Sequence, residues 1–167
     1  MLFGLKLPTG ATDATFDAGP RQGEAVDRGL QPGTGTVDAL VGAYDFGNFG
    51  ADWSYFARAQ LQQPLDSRDG FRPGTGINVD AGVRYGAHHS FTPQLQLNLR
   101  AEQRERGANA DVENSGATLV YLSPGFTHRF SKRWEAHAFA QVPVYQRVNG
   151  LQLEPRMLYS VGIQYRP

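Results

Sequence analysis

The side chains in this sequence that could do chemistry are mostly charged, and they recur on alternate positions of extended stretches. They are Lys6, Asp38, Arg58, Asp80, Arg84, Arg100, Glu102, Arg104, Glu135, Glu154, Arg156 and Arg166. A strand sends successive side chains to opposite faces, so one parity gathers these groups on one surface. Both signs are mixed along it. Such a row either lines a wet passage with fixed charge or fills a narrow interior with ion pairs. In eight strands closed on themselves side chains just fill the space, whereas a larger barrel leaves the passage open. The candidate lining residues are Arg58, Asp80, Arg84, Arg100, Glu102, Arg104, Glu135, Glu154 and Arg156. Equal spacing about a turn near Ser90 sets Asp80 opposite Arg100 and Asn78 opposite Glu102. A turn at Asn149-Gly150 sets Tyr145 opposite Glu154.

Catalytic chemistry finds less support. His88 and His89 are adjacent, so in extended chain they point to opposite faces and cannot chelate one metal together; they read as a solvated turn. Glu135 and His137 share the polar parity and could act as an acid/base pair, with Ser123 or Ser160 as nucleophile, but neither serine stands in a nucleophile motif. The glycine-rich stretches precede strands rather than helices, so they are not phosphate cradles. The sequence has no cysteine, which excludes thiolate chemistry, disulfides and cysteine metal sites. We therefore expect no enzyme, no cofactor and no metal.

The elements that must position the charged row are strands. The clearest is 93–105, with Gln94, Gln96, Asn98, Arg100, Glu102 and Arg104 on one parity and Leu95, Leu97, Leu99 and Ala101 on the other. It is long for a soluble strand and matches the roughly 9–11 tilted residues that cross a bilayer. Alternation of the same kind places strands at 2–8, 36–46, 52–63, 76–87, 117–130, 134–147 and 151–166, all within a single domain, 1–167. Gly47-Asn48-Phe49-Gly50 reads as a tight turn and Asn149-Gly150 as a type I′ hairpin. Ser123-Pro124-Gly125 should bulge or kink its strand. Long polar loops at 11–33, 64–76 and 107–115 alternate with short turns. Pro32-Gly33-Thr34-Gly35 and Pro73-Gly74-Thr75-Gly76 each end a long loop, so a hairpin plus an outer loop reads as a repeating unit.

Composition narrows the class. Lysine plus arginine and aspartate plus glutamate are 16 each, so no net field draws nucleic acid. No apolar run is long enough for a transmembrane helix, while a transmembrane barrel, half of whose strand residues face a lumen, fits 40% hydrophobic residues. No basic segment with an apolar stretch follows Met1, so the sequence reads either as a mature start or as lacking its beginning. Phe49, Trp53, Tyr55, Tyr85, Phe91, Phe126, Phe130, Trp134 and Tyr165 lie beside the short turns, the layout of an aromatic girdle at one membrane interface. Between them run small Ala, Val and Leu residues, better suited to lipid tails than to a ligand cavity. Turned inside out, the same alternation gives a soluble lipocalin-like carrier of a hydrophobic ligand.

Four stretches carry a family resemblance: Gly4-Leu5-Lys6-Leu7-Pro8-Thr9-Gly10, Leu30-Gln31-Pro32-Gly33-Thr34-Gly35-Thr36, Leu122-Ser123-Pro124-Gly125, and Gln141 through Gly150. Together they resemble the outer-membrane proteins grouped as "MetA-pathway of phenol degradation", over nearly the whole chain. The resemblance implies a Gram-negative outer-membrane barrel that passes aromatic or other small organic compounds. It also implies that the chain corresponds to the C-terminal part of longer, signal-peptide-bearing proteins.

The expected fold is thus all-β: an antiparallel up-and-down transmembrane β-barrel of about eight strands, closed alone or forming part of a larger barrel. The expected function is a passive channel or uptake protein of the bacterial outer membrane, with a charged lumen. Its partners would be the lipid bilayer, a small organic solute and the barrel-assembly machinery. A purely structural membrane barrel and the soluble carrier are the alternatives.

Overall fold

The computed structural model describes residues 1–86 and 90–167, so His88 and His89 lie outside the described residues. Eight strands follow in chain order: β1 (Leu2–Lys6), β2 (Asp38–Phe49), β3 (Trp53–Pro64), β4 (Gly76–Tyr85), β5 (Phe91–Glu102), β6 (Ala117–Arg129), β7 (Trp134–Val148) and β8 (Leu158–Tyr165). Each pairs antiparallel with its neighbours in sequence, giving one sheet of order β1 to β8. β1 and β8 are its two edges. The sheet is open.

Register carries the alternation across the whole sheet. Asp38, Arg58, Asp80, Asn98 and Ser123 share one face with Lys6 and Glu135, while Val41, Leu61, Ile77, Leu97, Leu122 and Val161 share the other. Burial along this sheet inverts that of a water-soluble one. On β5, Leu95 and Leu97 are exposed whereas Gln94, Gln96 and Asn98 are half-buried. Asp38 and Ser123 are fully buried on the polar face, yet Val161 on the apolar face is 79% exposed. The total accessible surface is 11105 Å², against about 8,100 Å² for a compact monomer of this mass. Large apolar side chains therefore remain uncovered on one face. Asp45, which accepts from the Tyr55 hydroxyl at 3.1 Å, and Arg147 are charged positions on that face.

Crowding falls mainly on the polar side. Gly4, Gly42, Gly82, Gly125 and Gly162 all lie on the polar face. A Cβ on Gly82 would overlap Phe56, and one on Gly125 would overlap Phe139 and the Ala138 carbonyl. Converging side chains of this kind belong to the inner side of a curved sheet.

The connections alternate long and short as the sequence predicts, but two turns differ in detail. β2 runs on through Gly47 to Phe49, and the turn is at residues 50–52, where Gly50 takes φ 76. Extending the alternation by these residues keeps Phe49 paired with Trp53. Asn149-Gly150 is not a type I′ hairpin: Gly150 has φ 63, but Asn149 is not among the positive-φ residues that such a turn requires. β7 and β8 keep the register centred on that dipeptide where they pair, as with Trp134 and Tyr165. The ladder stops at Gln141 and Leu158. Residues 149–157 leave it to dock on the neighbouring loop, where Asn149 Nδ2 donates to the Gly116 carbonyl at 2.9 Å and Leu151 N to Asn114 Oδ1 at 2.8 Å. The last strand is accordingly Leu158–Tyr165, not 151–166.

Ser123-Pro124-Gly125 stays in register with β5, and the expected irregularity is confined to its β7 side, where Ser123 and Pro124 have no ladder partners. A register shift lies between Val120 and Tyr121, whose β7 partners are Tyr145 and Pro143. Val144 is thus an extra residue in β7, and beyond it Tyr145 moves to the apolar face.

The long loops form an ordered layer at one end of the sheet. Phe71, in the connection between β3 and β4, is the largest fully buried side chain among the described residues. The Arg28 guanidinium lies 5.7 Å from its ring, and the Arg72 guanidinium donates to the Pro64 carbonyl at 2.8 Å. The two Pro-Gly-Thr-Gly copies share a role here. A Cβ on Gly33 would overlap the Gly10 backbone, and one on Gly74 the Gln103 carbonyl. In each copy the second residue lets one loop backbone press on another.

Candidate functional site

The polar face carries its charges at three levels. At the loop end, Asp38 is fully buried and accepts from Lys6 Nζ at 2.8 Å, Thr36 Oγ1 at 2.8 Å and Gln62 Nε2 at 2.5 Å. Lys6 also donates to Thr34 Oγ1 at 2.7 Å. This cluster ties β1, β2 and β3 together. A buried carboxylate with three of its four acceptor positions taken is a structural tie between the strands rather than a ligand site.

At mid-height the groups compensate each other. Arg58 on β3 stands opposite Asp80 on β4, and Asp80 opposite Asn98 on β5. Asn98 Nδ2 donates to Asp80 Oδ1 at 2.8 Å, and the Ser123 hydroxyl donates to Asn98 Oδ1 at 2.5 Å. Nearer the loop end, Arg100 and Glu102 pair along β5 at 2.8 Å, Glu102 standing opposite Gly76 at the start of β4.

At the turn end the balance fails. Arg84, Gln94, Thr127, Arg129, Glu135 and Arg166 line a recess of about 100 Å³. Glu135 accepts from Arg166 Nη2 at 3.3 Å and faces Arg129 Nε at 3.7 Å. One carboxylate thus meets two guanidiniums. Arg84 has no ion pair among the described residues, and its buried Nε has no hydrogen-bond partner among them. Its guanidinium lies 5.9 Å from the Phe56 ring.

The apolar face is the counterpart of this arrangement. Along its turn end Phe49 stacks on Trp53 at 5.8 Å, Trp53 meets Tyr85 at 5.0 Å, Phe91 meets Phe126 at 5.2 Å, and Trp134 meets Tyr165 at 5.0 Å. These rings are all substantially exposed. No family model, curated protein or solved structure matches this chain. The reading of the site accordingly rests on its geometry.

Of the predicted lining residues, Arg58, Asp80, Arg84, Arg100, Glu102 and Glu135 lie on the polar face within strands. Arg104, Glu154 and Arg156 lie outside the strands, because β5 ends at Glu102 and β8 begins at Leu158. Two predicted pairings are corrected. Asp80 faces Asn98 rather than Arg100, and Asn78 faces Arg100 rather than Glu102, whose partner is Gly76. The register is centred one residue earlier than Ser90, which slides each pairing by two and so preserves the faces. Tyr145 does not face Glu154; it pairs with Val120 on β6.

Among the described residues no hydrogen bond joins Ser123 or Ser160 to His137, and Ser160 stands opposite Phe139. Ser123 gives its proton to Asn98, Glu135 is engaged by Arg166, and His137 sits opposite Thr127 and Gly162. Sequence reasoning passed over Arg129 and Thr127. Their alternation with Phe126, His128 and Phe130 at the end of β6 carried the signal.

One ionisable group in the loop layer is set apart by its surroundings. Burial pushes the Glu105 carboxyl above the usual range and the Asp27 carboxylate pushes it further, against an opposing backbone hydrogen bond from Asp111. A raised folded value means that the protonated form stabilises the fold. That stabilisation is complete below the unfolded value and is lost as pH rises through the folded one. Glu105→Gln is therefore expected to raise the melting temperature at pH 7 and to leave it unchanged near pH 3. A melting series across that range checks it, and equal effects at both ends would remove Glu105 as the cause.

Proposed function

We propose that this chain is a transmembrane β-barrel protein of the bacterial outer membrane that passes small organic compounds, aromatic ones included, through a polar interior. The observation that carries the reading is the inverted burial. Large apolar side chains are exposed along one face, which ends in a row of exposed aromatic rings, while Asp38, Ser123 and the amides of β5 are buried or half-buried on the other. A surface of exposed Leu, Val and Ile edged by Trp, Tyr and Phe has the composition that a bilayer and its interface select. A soluble carrier would instead enclose that surface, yet the crowding glycines and the buried Asp38 and Ser123 sit on the polar side.

On this reading the edges β1 and β8 are joined in the membrane, either to each other or to strands of a larger barrel. Closure requires a stagger around the barrel. β1 pairs with the loop-end half of β2 and β8 with the turn-end half of β7, so the two edges are offset along the strand direction. Membership of the phenol-degradation outer-membrane family is part of the same proposal.

The test is reconstitution. The full chain refolded in detergent should migrate differently on gels before and after boiling, resist protease, and raise the conductance of planar bilayers in discrete steps. A heat-modifiable protein that never conducts would be a structural barrel. A chain that folds as a monomer in plain buffer would be the carrier.

A further inference from the structure

The recess at the turn end of the polar face is the one level where charge is left over. Arg84, Arg129 and Arg166 surround it with Glu135 as the single carboxylate among its lining residues. At the other two levels the charges balance in number: Lys6 pairs with Asp38 and Arg100 with Glu102, while Arg58 stands opposite Asp80 in the register and its guanidinium donates to Gln60. A guanidinium whose buried Nε meets no partner is costly unless something accepts from it. Planar forked donors match a carboxylate in geometry as well as charge. The Thr127 hydroxyl, which already accepts from Gln94 Nε2, keeps its own proton to give.

A second feature adjoins the first. The Phe56 ring lies beside the Arg84 guanidinium, Phe46 stands directly opposite Phe56 on β2, and Tyr44 stacks on Phe46 at 6.1 Å with the planes 8° apart. These three aromatic side chains are on the polar face, and Tyr44 and Phe46 are exposed there because β1 covers only the other half of β2. The charged recess and the aromatic shelf thus meet at Arg84.

We propose that this recess binds the carboxylate of a small aromatic acid, with the acid group held by Arg84, Arg129, Arg166 and Thr127 and the ring laid against Phe56 and Phe46. The proposal rests on the polar face being the interior of a channel and names the class of compound it selects. A recess of about 100 Å³ takes a carboxylate group and its first waters, so the ring must lie outside it on the shelf. Glu135 is a positioning residue: it holds Arg166 and lowers the excess of the three guanidiniums without removing it.

The experiment is calorimetric titration of the full chain, refolded in detergent micelles, with sodium benzoate, sodium acetate, benzyl alcohol and inorganic phosphate as separate probes. Benzoate should bind saturably and at least tenfold more tightly than any of the other three. Arg84→Gln should weaken benzoate by tenfold or more, and Phe56→Leu should erase the preference for benzoate over acetate. Arg166→Gln, at the end of the sheet, gives the same direction if Arg84→Gln fails to refold. Benzoate no tighter than acetate, benzyl alcohol or phosphate overturns the proposal, as does binding indifferent to both arginine substitutions. Bilayer conductance on the same preparation separates the two readings. Benzoate binding without conductance keeps the site and overturns the channel, and conductance without benzoate binding does the reverse.

Discussion

Phe71→Ala is expected to cost the loop layer about 3–5 kcal/mol, the usual range for emptying a fully buried phenylalanine site. Phe71 is 1% exposed and sits where three connections meet. Its own backbone pairs with Arg68 in both directions at 2.9 Å, the adjacent Arg72 pairs in the same way with Arg106, and the Arg28 side chain covers the ring. Removing the ring leaves the Arg28 guanidinium over a void and loosens all three connections at once. The strands should survive, because their ladders do not pass through this residue. The readout is local: trypsin should cut at Arg68 and Arg106 far faster than in the parent protein, and amide exchange in residues 65–75 should accelerate while β3 to β6 stay protected. Unchanged protection in the loops would show that the layer does not depend on Phe71.

Leu97→Arg is expected to destabilise the membrane-embedded protein by about 2–4 kcal/mol, the cost of a cation on the lipid face near the midplane. Leu97 lies in the middle of β5, flanked by Ala81 and Leu122 on the same face, and it is 48% exposed. In water such a half-exposed site would tolerate arginine within about 0.5 kcal/mol. Placing the cation one residue earlier, in Gln96→Arg, puts it on the polar face, between Gly82 and Ser123 and away from lipid. Denaturant unfolding in lipid vesicles, followed by tryptophan fluorescence, should therefore separate two neighbouring substitutions of identical charge. Equal stabilities for the two variants would mean that the apolar face does not meet lipid, and the proposed function would fall with it.

The strands were readable because their signal is local. Alternation of Gln94, Gln96 and Asn98 with Leu95, Leu97 and Leu99 states both that a strand exists and which residues share a face, and neighbours along one chain are enough to reveal it. The same holds for the aromatic row, since Trp53, Tyr85, Phe91, Phe126 and Trp134 lie toward the turn end whatever the exact pairing. Register was readable only to within its parity. The shift of Asp80 from Arg100 to Asn98 moved every pairing in that hairpin by two residues and turned none over.

What a strand meets across a gap was not readable. The extra residue Val144 turns Tyr145 to the apolar face because β7 must satisfy β6, and nothing in the sequence of β7 alone marks it. Arg104, Glu154 and Arg156 keep the right parity but lie beyond the ends of their strands, where contacts between loops take over from the ladder. Phe71 stands alone in a polar stretch without periodicity, yet becomes the centre of the loop layer. The sequence by itself thus determined the strands, their faces and the sidedness of charge, because a two-residue period is written in the chain. The tertiary structure alone decided which charges are matched, which arginine is left over beside Phe56, and how the loops close over one end. Those depend on residues far apart in sequence, whose meeting is set by packing rather than by local pattern.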